Sequence, residues 1–295
     1  MRASGAQVKQ TAESRAGLHD HLSGCFQERC RRYRKALKHC RKTFVPESVH
    51  QLRVESRRLL AFLSLLRILI NDASLSILER TLKRLFKNTS RLRDTQVHQL
   101  FLRSRCIKHL DLADFEQYLC RREKRLVRRL KKKIKEQDRV DWDQLLAVSR
   151  KCLRSFLADP DIEVQHWNVV RQGVDRAFLR VTRRLRQIRA NEPLTIHRLR
   201  IEFKKFRYLV ECLHPLLPGI TRHHLNRMHA RQTEMGKIQD LEVLLRSASK
   251  FLEKSHLENH PFPDVLKRRQ IRRITVFMST TDRLSDFWPP NPGKR

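Results

Sequence analysis

The sequence predicts an all-α fold built from a duplicated helical unit, on three observations. Its 295 residues hold only seven glycines and ten prolines, so little interrupts a helix. Leu, Arg, Lys and Glu, which lose little side-chain freedom in a helix, are abundant, and a hydrophobic fraction of 40% is enough to fill a core. The third observation is a phrase written twice: "VHQLRVESRRLL" at 49–60 and "IHRLRIEFKKFR" at 196–207.

The elements follow in order. Residues 1–16 are small and polar and read as a tail. "HLSGCFQERCRRYRKALKHCRK" (21–42) has a basic amphipathic helix pattern that "FVPES" breaks. A second helix starts at Pro46, where a first turn tolerates proline, and runs to about Ile70. "NDAS" supplies turn and capping residues before a third helix over 75–104, with a break expected near "TSRLRD". A fourth covers 112–136 and ends in the very basic "RREKRLVRRLKKKIKE", read as outer-surface charge; a shorter helix occupies 141–157. "LADPDIEVQ" is the best linker, dividing a first half (17–158) from a second (159–288). Helices are then expected over 166–189, 196–213, 223–252 and 265–288, before a tail at 289–295.

The repeat is the strongest feature. At an offset of 147, ten of the thirteen positions 46–58 are identical or conservatively replaced in 193–205, Pro46, His50, Leu52, Arg53 and Glu55 among the identities. One residue out of step, "SRLRDTQVHQL" (90–100) aligns with "GKIQDLEVLLR" (236–246), setting Asp94 over Asp240. A duplicated unit of about four helices per half follows.

Sixty-five Lys and Arg against thirty-one Asp and Glu give a formal charge of +34. Such an excess repels itself unless a polyanion is nearby, which leaves nucleic acid, an anionic membrane surface or an inorganic polyanion as partner classes. Seven dispersed cysteines and a polar start, without a leader pattern, fit a reduced, cytoplasmic chain. The run "LLAFLSLLRILI" (59–70) is too short to span a bilayer, so no membrane partner is expected.

At about 100° per residue, Leu199, Phe203, Phe206, Val210 and Leu213 share a face that must meet a core, as do Leu52, Leu59, Leu63 and Leu66. Beside them runs a polar stripe: His197, Arg200, Lys204 and Arg207 in the second copy, His50, Arg53 and Arg57 in the first. Stacked cations repel. Solvent asks only for polarity and not for the same residues twice, so the matched stripes point to a ligand. Each histidine serves equally well as a structural donor to a nearby acceptor. Arg34 and Lys38, and in the other half Arg180 and Arg183, extend the cationic rows on the preceding helices.

"VHQLRVESRR" and "IHRLRIEFKKFRY", followed by "RDTQV" and "QDLEV", resemble the CHAD family, the conserved-histidine α-helical domain, across residues 17–288. The resemblance implies a standalone domain of two four-helix bundles related by a pseudo-two-fold, with a basic central cleft. It also implies binding of inorganic polyphosphate and targeting to polyphosphate granules. The family's histidine falls on His50 and His197, and its basic positions on Arg53, Arg57, Arg58, Arg200, Lys204, Lys205 and Arg207. The first copy departs by carrying Leu60 where the second has Arg207.

Nonspecific RNA binding is the rival reading. Aromatics make up only 7% of the chain and do not interleave with the basic stripes, and no zinc-finger or RRM pattern is present. An enzyme of phosphate chemistry would need a phosphate loop or a carboxylate cluster for metal ions; Gly236-Lys237 is followed by Ile238, and Asp94 and Asp240 stand singly. "HHLNRMH" and Cys25/Cys30/Cys40 lack zinc-ligand spacing. No catalytic residues, cofactor or metal are expected.

Overall fold

The computed structural model describes residues 17–103, 111–137, 142–156 and 163–289. Among them the chain forms ten α-helices and two 3-10 segments, and no strand. The two terminal tails, but for Pro289, and the half-boundary at 158/159 lie outside the described residues.

Helix α1 (Leu18–Thr43) and α2 (Pro46–Leu69) form a hairpin. Buried Phe44 turns it: at φ 53° it is left-handed, and its N–H caps the Cys40 carbonyl. Asp72 caps α3 (Ala73–Asn88), its carboxylate accepting from the Ser74 and Leu75 amides. The expected break comes at Thr89, and α4 (Ser90–Leu102) follows. Its cause is local: the Thr89 and Ser90 hydroxyls both donate to the Phe86 carbonyl, at 2.8 and 3.2 Å. The counterpart segment has Gly236 in place of Ser90 and stays within one 33-residue helix, α9 (Arg222–Lys254). Between them lie α5 (Ala113–Gln137), α6 (Trp142–Phe156), α7 (Glu163–Leu185) and α8 (Pro193–Leu213).

The last expected helix divides into α10 (Phe262–Met278) and a 3-10 segment, Thr281–Phe287. Ser279 and Thr281 return their hydroxyls to carbonyls three residues back, at 3.0 Å each, which competes with helix continuation.

The apolar faces are those the periodicity predicts. Leu52, Leu59, Leu63 and Leu66 on α2, and Leu199, Phe203, Phe206, Val210 and Leu213 on α8, are all buried in one core. Helix α2 is central, packing on α1, α3, α4, α7 and α8. The helices carrying the repeated phrases therefore meet: α2 lies on α8, and α4 with Asp94 lies on α9 with Asp240. Helix α1 also touches α7, where the buried His19 Nε2 and His166 Nδ1 are 3.0 Å apart, 147 residues along the chain. That separation is the repeat offset.

Candidate functional site

Where α2, α3, α4, α7, α8 and α9 converge they enclose a cavity of about 970 Å³. Its lining includes His50, Arg53, Arg57, Arg180, His197, Arg200, Lys204 and Lys205, all predicted from the sequence. Helical geometry explains the convergence: the leucine and phenylalanine faces are anchored in the core, so the adjacent stripes of α2 and α8 must both turn toward the gap between them.

The cations are held in different ways. Arg53 is the most constrained: its Nη1 donates to the Phe86 carbonyl (3.0 Å), Thr89 Oγ1 (2.9 Å) and Ser90 Oγ (3.0 Å). Its guanidinium carbon also lies 4.2 Å from the Phe86 ring centre. It thus fastens the α3–α4 break to α2. Replacing it by alanine should cost about 2 kcal/mol in a urea melt, because these contacts all concern the fold. Arg57 donates only Nε, to the Arg53 carbonyl at 3.1 Å, and its terminal nitrogens have no hydrogen-bond partner among the described residues. Arg200 lies against the α9 backbone, where a β-carbon at Gly236 would sit 3.4 Å from Nη2. Among the described residues its buried Nε has no hydrogen-bond partner, and neither has His197 Nδ1.

Electrostatics follow from this crowding. Burial, then Arg200, Arg57 and Arg53, push Lys204 down to about 6, with Asp240 opposing them. Burial and Arg57 lower Arg53 to about 10, where it stays charged at neutral pH. His50 is lowered by burial, then by Arg93 and Arg57, and His197 by burial, then by Arg200 and Lys204. Asp94 on α4 and Asp240 on α9 are both raised by burial; Arg53 draws Asp94 back down while Asp240 raises it further, Arg200 and Arg93 draw Asp240 down, and among the described residues neither acid forms an ion pair. The cavity therefore concentrates poorly solvated positive charge around two acids that only partly offset it.

The other predicted positions lie elsewhere. Arg180 and Lys205 sit at the rim and share Glu202, at 3.4 and 2.7 Å. Arg58 faces away, bridging Glu55 (2.9 Å) and, from α2 to α8, Glu211 (2.8 Å). Arg207 is buried, donating to Gln232 (2.9 Å) and Glu211 (3.0 Å). Arg34 pairs with Asp143 of α6 at 2.8 Å, and Lys38 and Arg183 are exposed; none of the three lines the cavity.

Sequence reasoning missed Arg93, Lys83, His98, Phe86 and Tyr208, all of which line the cavity. Arg93 had a detectable signal. It precedes Asp94 in the aligned segment, at the position of Gln239, and Gln239 lines the same cavity and hydrogen-bonds His197. Leu60, Ala61, Leu65 and Ile68 make the remaining wall of α2 apolar.

Among the described residues, no group of His, Cys, Asp and Glu is arranged to hold a metal ion, and no helix is long and apolar enough to cross a membrane. No curated protein sequence matches the chain. The solved structures that share its fold include the following two. One is the CHAD domain from the plant Ricinus communis, with a TM-score of 0.67 and 18% identity over 90% of this chain and 91% of that one. The other is PptA from Streptomyces chartreusis, with a TM-score of 0.61 and 14% identity over 91% of this chain and 99% of that one. The CHAD domain profile matches residues 22–248, a stretch that includes both repeated phrases and every residue that lines the cavity. The chain belongs to the CHAD domain family.

Proposed function

We propose that the cavity binds inorganic polyphosphate and that the protein is a non-catalytic module that associates with polyphosphate granules. The observation carrying this reading is the convergence of Arg57, Arg93, Arg200 and Lys204 on one cavity, with Arg53 behind them. Polyphosphate carries about one charge per unit and no bases, so fixed cations suffice to hold it, with Arg forking onto two oxygens and Lys acting as a point charge. Its charges would also favour the ammonium of Lys204, which burial first and then the neighbouring arginines disfavour.

RNA is served less well. Phe86 and Tyr208 are the aromatic rings in the lining, and Arg53 and Arg207 already cover them at 4.2 and 4.4 Å. A base has no open platform there.

Immobilised long-chain polyphosphate should retain the protein, with affinity falling about a hundredfold over a fourfold rise in salt if four cations engage phosphate, by analogy with nucleic acids. RNA offered in competition should displace it poorly; tighter binding to RNA at the same salt would overturn the reading. A fluorescent fusion expressed in cells that accumulate polyphosphate should collect on the granules.

A further inference from the structure

Away from the cavity, α1 and the end of α8 bring two thiols together. Cys25 Sγ and Cys212 Sγ lie 3.0 Å apart, 187 residues apart in sequence. Cys212 is buried, whereas Cys25 is partly exposed. His21, one turn before Cys25, donates Nε2–H to the Cys212 carbonyl at 2.7 Å. That carbonyl sits in the last turn of α8, where a helix lacks its own donors, so the histidine fixes Cys212 against α1. The same histidine is within hydrogen-bond reach of the Cys25 sulfur.

We propose that Cys25 and Cys212 form a dithiol modification site, oxidised by hydroperoxides to a disulfide that ties α1 to the C-terminal end of α8. Cys25 is the attacking group. It is the more accessible of the two, and a hydrogen bond from Cys212, His21 and Arg29 favour its thiolate against the effect of burial. Sharing that hydrogen bond and being buried push Cys212 the other way, so it stays a thiol until the second step. The Cys25 thiolate attacks one oxygen of the hydroperoxide and breaks the O–O bond, giving a sulfenic acid and, with hydrogen peroxide, hydroxide. The Cys212 sulfur then attacks the sulfenic sulfur, and water leaves with the Cys212 proton and the sulfenic hydroxyl. Two thiols lose two electrons, and the peroxide becomes two waters. The sulfurs need only close by about 1 Å to reach bonding distance.

The other described cysteines provide the contrast: Cys152, partly exposed, is raised by burial and by Asp72. Cys30 and Cys40 are buried thiols pushed up to about 12 and about 11 by burial, which makes them poor nucleophiles. Cys120 is exposed, with Gln99 Nε2 3.6 Å from its sulfur.

The test treats the full chain with stoichiometric hydrogen peroxide, blocks free thiols, and maps peptides without reduction. A Cys25–Cys212 cross-link in monomeric protein, reversed by dithiothreitol, is expected. It should raise the thermal midpoint by about 5–10 °C, because it closes a long loop. Cys212→Ser should leave a sulfenic acid at Cys25 that dimedone captures, and Cys25→Ser should give neither product. Free thiols at 25 and 212 after treatment would overturn the proposal. So would cross-links dominated by Cys120 between molecules, or a Cys212→Ser protein that takes up no dimedone.

Discussion

A chain carrying Arg57→Gln and Lys204→Gln together should lose polyphosphate affinity by about a thousandfold, from two charge-assisted contacts of about 2 kcal/mol each, and keep its fold. These two residues separate binding from stability better than any other pair in the cavity. Both line it, from opposite walls and at matched positions of the repeat. Arg57 donates only to a backbone carbonyl on its own helix, and Lys204 is disfavoured as a cation by its surroundings. Removing Arg57 relieves repulsion around Arg53 and Arg200, and Lys204 is already disfavoured as a cation there, so the thermal midpoint should hold or rise. Glutamine is preferred to glutamate because a carboxylate at 204 would stand beside Asp240. Arg53, an equally visible candidate in the sequence, is the wrong choice for this purpose, since its loss also frees the α3–α4 break. Equilibrium binding beside circular dichroism checks the result. Unchanged affinity with intact helicity would move the ligand off the cavity, most plainly to the basic outer face of α5.

The repeat made the two walls legible because it recorded a requirement that solvent does not impose. Helical phase then placed Leu52 and Leu199 in the core and Arg57 and Lys204 beside it, as observed. Phase also explains where the reading ran out. Arg58 follows Arg57 by about 100° of rotation, which carries it to another face, and Glu211 from α8 meets it there. Arg207 closes the predicted stripe of α8 on paper. Its neighbour α9 supplies Gln232 on that side, however, and turns a would-be ligand contact into a buried structural bond. Arg93 was missed for the opposite reason. It belongs to no basic stripe of its own, and only the packing of α4 on α9 and α2 brings it to His50. The break at Thr89 was visible as a run of hydroxyl residues, whereas the third donor to Phe86, from Arg53, needed the tertiary structure.

Affinity for polyphosphate should fall as pH rises through neutrality, by up to about tenfold per unit, and Lys204 sets the sign. In the free protein its amine holds a proton only below about pH 6, against an ordinary lysine value of 10.5. Phosphate charges beside Arg200, Arg57 and Arg53 would restore the ammonium, so between these limits the complex binds a proton that the free protein lacks. Proton uptake on binding means weaker binding at higher pH. His50 and His197 act in the same direction, but both are already lowered from 6.5 and contribute only on the acid side. Stability of the free protein should move the opposite way. The unfolded chain keeps Lys204 protonated up to its ordinary value, so it binds more protons than the folded chain above about pH 6, and the folded state gains as pH rises. Binding and stability with opposed pH slopes form a signature that general loss of surface charge cannot produce. Calorimetric titration in buffers of different ionisation enthalpy, over about pH 6.5–8.5, should read net proton uptake. Lys204→Arg should flatten the affinity profile, because a guanidinium stays charged throughout. A wild-type affinity that does not vary with pH at constant salt would show that Lys204 does not change its protonation on binding, and would remove its desolvated charge as the force that draws the ligand in.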